Sequence, residues 1–327
     1  MSLIDFEPER FYYTFAQHPP ALRVRPGDRI RTWTIDSDNG DLEGNTVPKE
    51  RRQPGEGLLE YNGLTGPIHV EGAEPGDTLV VELEAVELNR ADAFGAVHSH
   101  LSLLGDDMTF VGPTGLKPPI QGRAYHWALQ GKDHTQARLE LPNSRIGSVT
   151  IAAHPFLGCF GVAPRWGEAI HSVDAGNHGG NMDCPLIRAG NTIHLPVFVP
   201  GALLFMGDAH AAQGDGEILG GALETSARVS LRVDVLPNRK LTWPRVVGPD
   251  SIATIASGRP LIDVIRILHT EMVLWLEAEY GYERFDALHV LGQVGRVRLC
   301  NIVSPRYTAA LEFPRALLPP VCERHEH

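Results

Sequence analysis

The stretch ARVSLRVDV, residues 227–235, decides the fold class. Its odd positions, Ala227, Val229, Leu231, Val233 and Val235, are all apolar, while Arg228, Ser230, Arg232 and Asp234 between them are polar. A period of two puts alternate side chains on opposite faces of a strand, one buried and one wet. Working outward, LVVELEAVEL (79–88) alternates nearly as well, and IHLPVFV (193–199) sets Ile193, Leu195, Val197 and Val199 on one face. Pro196 inside that run cannot donate to a ladder, which predicts an edge or a bulge there.

Turns separate these strands. The 34 glycines and 25 prolines are spread along the whole chain rather than gathered in one linker. RPGDRI (25–30), EPGDTL (74–79) and RAGNTI (188–193) share one plan, a glycine turn, an Asp or Asn, then a strand. Glycine supplies a permissive backbone and the Asx side chain caps the turn. Three such entries predict a β-sandwich or jelly roll.

The character changes after about residue 245. PLIDVIRILHTEMVLWLEAEY (260–280) has no glycine and no internal proline, so a helix is expected, with Pro260 at its start and Gly281 at its end. Its apolar residues surround much of its circumference, which implies cover on two sides, by the β core and by a second helix or subunit. ERFDALHVLGQVGRV (283–297) reads as that helix, and VRLCNIV and YTAALEFP as returning strands. The expected organisation is a jelly-roll-like β-sandwich core over 1–245 that carries the site, with a smaller helix-containing α/β appendage over 246–327 packed on it.

Composition bounds the function. With 43% apolar and 21% charged residues in 327, the chain can bury a substantial core. A net charge of −11 argues against a nucleic-acid partner and against an anionic membrane surface. No apolar run nears the ~20 residues of a spanning helix, and the N-terminal MSLIDFEPERFYY carries acids where a signal peptide needs basic and then apolar residues. The four cysteines, Cys159, Cys184, Cys300 and Cys322, are far apart and form no CxxC pair. A protein of a reducing, cytoplasmic compartment is expected. The over-apolar helix leaves a homo-oligomer open.

The chemistry concentrates in LLFMGDAHAAQGDGE (203–217), where Asp208 and His210 follow a hydrophobic strand. Residues i and i+2 of a strand share a face, so this pair can grip one cation without bending the backbone. The glycines around Asp215 permit a reversal that returns Asp215 or Glu217 toward the pair. Carboxylate with imidazole suits zinc, manganese or iron better than calcium. A second polar cluster, NHGGNMDCPL (177–186), carries Asp183, and HPFLGCFGVAP (154–164) reads as a glycine-punctuated loop headed by His154.

YNGLTGPIHVEGAEPGDTLVVEL, HPFLGCFGVAP, GGNMD, LPVFVPGALLFMGDAHAAQGDGE and ALET, taken in order, resemble the motifs of the acetamidase/formamidase family from about residue 20 to the final strands. The resemblance implies a jelly-roll β-sandwich with a smaller α/β part, and hydrolysis of a small linear amide to carboxylate and ammonia with a divalent metal. Its motifs carry over Asp183, Asp208, His210, Asp215 and Glu217, with Glu224 of ALET. Asp36 follows the strand IRTWTID where the family has an acid, but the SDNGD after it departs from the family pattern. HSHLSLLGDDM (98–108) has no family counterpart, so His98 and His100 stand as metal ligands, substrate contacts or surface residues.

On that basis Asp208 and His210 are expected to hold the metal, zinc first, with Asp36 or Asp183. Glu217 is expected to shuttle the proton, with Asp183 as the other catalytic acid. His98, His100, His154, Asp215 and Glu224 are candidate substrate contacts or supports. A Ser–Ser–Lys amidase would need a GSS or SSG run, which is lacking, and none of Lys49, Lys117, Lys132 and Lys240 lies where a Cys–Glu–Lys amidase needs one. Cys159 reads as a buried small residue rather than a nucleophile. Two alternatives stand beside the amidase: a jelly-roll metalloenzyme doing lyase or hydratase chemistry on a small acid, and a non-catalytic small-molecule binding module. The latter is disfavoured because aromatics are only 7% of the chain.

Overall fold

The computed structural model describes residues 2–53, 59–99, 101–104 and 121–319. His100 and Cys322 lie outside them. Among the described residues two large sheets pack face to face. The first has nine strands, in the order 3–5, 29–34, 227–236, 78–88, 192–196, 245–247, 251–258, 307–314 and 296–301. The second runs 147–152, 136–141, 123–130, 92–97, 224–225, 204–210, 156–162, 179–181 and 175–176, with 64–70 also paired to 204–210 and 22–24 paired to 64–70. The molecule is a mainly β sandwich.

The opening stretch forms the strand Ala227–Leu236, between Arg29–Thr34 and Thr78–Leu88, with Ala227, Val229, Leu231 and Val233 buried. They meet Leu79, Val81 and Leu83 of their own sheet and Phe160, Val162, Leu204 and Met206 of the other in one core. Burying such side chains contributes about 1.5–3 kcal/mol each before entropy is counted.

The three turn-to-strand entries share their backbone. Gly27, Gly76 and Gly190 have φ of 87°, 103° and 84°. In each, the Asx N–H donates to the carbonyl three residues back. Asp28 and Asp77 also accept the Arg25 and Glu74 N–H groups on their carboxylates, at 3.0 and 2.9 Å. Asn191 departs from this, its side chain donating instead to Leu186 O at 2.8 Å. Pro196 lies neither on an edge strand nor in a bulge but is the last residue of Thr192–Pro196, where the ladder stops.

After residue 245 the chain continues the first sheet, because Ser251–Gly258 pairs with Arg245–Val247 and then with Tyr307–Pro314. Two helices cover this end. Helix α1 is Leu261–Tyr280, preceded by Pro260 and closed by Gly281 at φ 70°. Helix α2 is Arg284–Val294, shorter than its sequence pattern because Gly295 begins the turn into Arg296–Asn301. The Glu283 carboxylate caps α2 by accepting from Phe285 N and Asp286 N at 2.7 and 3.1 Å. Val264, Leu268, Met272, Trp275 and Leu276 pack with Ala287 and Leu291 of α2 and Ala309, Leu311 and Phe313 of the sheet in a second core. No helix among the described residues is long and apolar enough to cross a membrane.

Candidate active site

The strand Leu204–His210 is wholly buried. Phe156–Val162 lies on one side of it, and Glu224–Thr225 and Leu64–Val70 on the other. Its ladder to Phe156–Val162 pairs Ala209 with Leu157 and Gly207 with Cys159 but skips Asp208 and Gly158. Asp208 has φ 56°, so the strand bends where a straight one was expected. Gly158 leaves room for both acids there, since a Cβ on it would collide with Asp183 Oδ1 and Asp208 Oδ2.

Asp183 and Glu217 also sit in the left-handed region, at φ 44° and 52°. Each such residue costs on the order of 1 kcal/mol or more and is characteristic of functional sites. Gly179 and Gly180, at φ 89° and 102°, deliver Asp183 from the strand Gly179–Asn181. A turn returns Glu217, whose N–H donates to Gly214 O at 3.1 Å. The reversal expected of QGDGE therefore brings back Glu217, while Asp215 stays exposed and pairs with Arg298 at 2.6 Å.

These bends converge on one point. His210 Nε2 stands 3.4 Å from Asp208 Oδ1, 3.4 Å from Glu224 Oε1 and 3.9 Å from Asp183 Oδ1. Asp183, Asp208 and His210 each offer a ligand atom within 4.8 Å of the others, as do His210, Glu217 and Glu224.

A shell of amides orients the cluster. Gln213 Nε2 donates to Asp183 O at 3.0 Å and to Cys300 O at 2.8 Å, which leaves its Oε1 as the acceptor for His210 Nδ1 at 2.9 Å. Neutral His210 then carries its proton on Nδ1 and turns its Nε2 lone pair toward the carboxylates, the usual arrangement of a ligating histidine. Asn301, fully buried, donates to Asp183 Oδ2 and, at 3.0 Å, to Glu217 Oε2. Asn181 donates to Asp183 Oδ2 at 2.8 Å, and Asn62 to Asp208 Oδ2 at 3.1 Å.

The electrostatics are unbalanced. Asp183, Asp208, Glu217 and Glu224 are all buried, and among the described residues no arginine or lysine forms an ion pair with any of them. Burial raises the Asp183, Asp208 and Glu217 carboxyls above the usual range, with His210 nearby pulling Asp183 and Asp208 back and Asp183 adding to the rise at Glu217. For His210, burial favours the neutral ring, but Glu224 and Asp208 outweigh it and raise its basicity. For Glu224, burial is outweighed by His210 and by the Ala222 N–H, and its carboxyl is lowered.

Buried like charges of this kind call for a cation. The residues fit one. Asp183 Oδ1, Asp208 Oδ1, His210 Nε2 and Glu224 Oε2 are buried with no hydrogen-bond partner. The 3.4 Å between His210 Nε2 and Asp208 Oδ1 is also about that of tetrahedral ligands on bonds of ~2.1 Å.

Asp36 stands apart, contrary to the expectation that it ligates. Its Oδ1 accepts Asp38 N and Gly40 N at 3.0 and 2.6 Å, and its Oδ2 binds buried Arg90 at 2.6 Å, so its lone pairs are spent. The SDNGD segment that departs from the family pattern is the turn that wraps it. His98 is half-buried beside Gly221, where an added Cβ would lie 3.5 Å from its Nε2 and 3.7 Å from Glu224 Oε1. His154 is exposed on the wall of a neighbouring cavity. Residues 156–162, read as loop, are a buried strand. Cys159 lies within it, its thiol pushed well above the ordinary range first by burial and then by Asp208. Sequence reasoning missed Gly158, Asn62, Asn181, Gln213 and Asn301. The one signal for Asn301 was an amide inside the apolar run VRLCNIV.

Residues 15–167 and 165–247 match the Acetamidase/Formamidase family. The chain is 26% identical over 284 residues to the acetamidase of Mycolicibacterium smegmatis, covering 71% of this chain and 67% of that protein. It is 30% identical over 254 residues to the formamidase of Methylophilus methylotrophus, covering 67% of this chain and 62% of that one. Among solved structures, the acetamidase from Yersinia enterocolitica superposes with a TM-score of 0.82 at 33% identity, covering 97% of this chain and 93% of that one.

Proposed function

The chain belongs to the acetamidase/formamidase family, and on that premise we propose that it hydrolyses a carboxamide to the carboxylate and ammonia at the Asp183–Asp208–His210–Glu217–Glu224 cluster. Asp183, Asp208, His210 and Glu224 are the residues that would hold a divalent cation. Three carboxylates and an imidazole suit zinc, with manganese or iron also matched by the donor set. Such a cation supplies Lewis acidity, polarising a carbonyl and making water more acidic.

The protein's own groups do the rest. Glu217 borders both the cluster and a cavity, so it faces the space where an amide would sit. Burial and then Asp183 raise its carboxyl well above the ordinary range, so it binds a proton more readily than a free glutamate. It takes a proton from the attacking water and returns one to the amide nitrogen as the C–N bond breaks. Asn301 donates to Oε2 of this carboxyl and so positions it. Gln213 keeps the His210 Nε2 lone pair aimed inward. The buried setting strengthens each of these interactions.

The observation that carries this reading is four buried, unpartnered ligand atoms, on Asp183, Asp208, His210 and Glu224, in two ligand groups that share His210. The test is ammonia release from carboxamides ranging from formamide to phenylacetamide, with and without chelator, alongside Glu217→Gln. Turnover that chelator abolishes and metal restores supports it, as does a Glu217→Gln variant that retains metal but loses at least ~100-fold in kcat. Chelator-insensitive turnover removes the metal, and normal turnover by Glu217→Gln removes Glu217 from the mechanism.

A further inference from the structure

We infer that the amide this chain takes carries an extended apolar group, a longer alkyl or an aryl carboxamide, rather than formamide or acetamide. The inference rests on the amidase reading above and names the substrate class of that same site.

A cavity of about 790 Å³ meets the cluster at one end, where Gln213 and Glu217 line it. Phe156 also lines this end, and its ring packs edge-on against His210 with centroids 5.0 Å apart. An amide carbonyl placed at Glu217 therefore has the rest of the cavity behind it.

That remainder is walled by apolar side chains. Tyr125 and Trp127, two apart on Arg123–Gln130, share one face and line it, as do Leu139 and Ile151 from the next two strands and Leu223 just before Glu224–Thr225. Gly95 pairs with Tyr125 across the ladder, and its lack of a side chain admits the close approach of Ala222 O and Leu223, which also line the cavity. Tyr125 and Trp127 are only half-buried, and Ile151 is 39% exposed. Of the two arginines at the cavity, Arg298 is taken up by Asp215. Of the other charged or titratable residues that line the cavity, His154, Arg188 and Asp215 are exposed, while Glu217 is buried in the cluster. Concave sites of roughly 300–1,000 Å³ with this distribution bury drug-sized ligands. Formamide, with three heavy atoms, would touch the Glu217 end and leave the Tyr125–Trp127 wall in water.

The test measures kcat/KM for ammonia release by the full-length, metal-supplied protein. The substrates are acetamide, butanamide, hexanamide and phenylacetamide. Each methylene seated on the wall is expected to raise kcat/KM about fourfold, and phenylacetamide to exceed acetamide at least tenfold. Trp127→Ala should cut the phenylacetamide-to-acetamide ratio about tenfold, mainly through KM; Tyr125→Ala serves the same end if that variant does not fold. Values that stay flat or fall beyond acetamide, with acetamide itself turned over, overturn the inference and leave the amidase reading standing. An unchanged ratio in the folded Trp127→Ala protein also overturns it. Turnover of formamide alone overturns this inference only, and no ammonia from formamide or from any of the four amides overturns the amidase reading and this inference together.

Discussion

Gln213 fixes His210: its Oε1 lies 2.9 Å from Nδ1 of the ring, while its NH₂ group is committed to Asp183 O and Cys300 O. One amide thereby ties the imidazole to the backbone of two other segments. Gln213→Ala frees the ring to rotate. The expected outcome is a 10- to 100-fold loss of zinc affinity in a folded protein, measured by competition with a chromogenic chelator. Unchanged affinity would show that the ring is held by packing against Phe156 alone.

Gly158 makes room for two carboxylates. In Gly158→Ala the new methyl meets Asp183 Oδ1 and Asp208 Oδ2 at about 2.5 Å, and both belong to side chains already tethered by amides. The carboxylates must part. Ammonia release should fall at least tenfold, and stability by roughly 1–3 kcal/mol as for other overpacked cores. Normal kinetics together with normal urea unfolding would mean that the cluster adjusts freely.

Asn301 gives hydrogens to two acids that lie close together. Asn301→Leu leaves both short of a donor and should destabilise by about 1–3 kcal/mol. Asn301→Asp adds a further buried carboxylate and should cost more activity than Asn301→Leu. Thermal melts and ammonia release on both variants decide this; equal activity in the two would remove like-charge repulsion from the account.

His178 is fully buried, with neither ring nitrogen hydrogen-bonded, and packs on Phe15. Burial, with Arg306 adding to it, pushes its pKa down to about 3. The unfolded chain binds a proton here below about pH 6.5, while the folded one does not until about 3. Stability contributed by this site is therefore complete above pH 6.5 and lost as pH falls, at about 1.4 kcal/mol per pH unit. Urea unfolding at pH 7 and pH 5 should show His178→Leu losing about 2 kcal/mol less than the parent over that interval. Parallel losses would refute it.

How much was legible depended on where each side chain's partner lies. Ala227–Leu236 showed itself because one face is wet, and α1 because its stop signal, Gly281, is local. Phe156–Val162 was read as loop because all seven of its residues are buried, which erases alternation, and because two of them are glycines. The Asp-x-His pair and GGNMD stood out as motifs, and the structure brings them together with Glu217 and Glu224. Asp36 carried the same local signal, yet Arg90, 54 positions on, takes it out of the cluster. Asn301 reaches Asp183 across 118 positions. Partners set by sheet topology leave no mark on the residues beside them.

The central claim, that Asp183, Asp208, His210 and Glu224 hold one divalent cation, is tested most directly by metal analysis of the purified protein beside a folded Asp208→Asn/His210→Ala variant. One zinc-class ion per chain in the parent and essentially none in the variant is the result expected. Equal metal in both, or a metal-free parent that still releases ammonia in the presence of chelator, would contradict it.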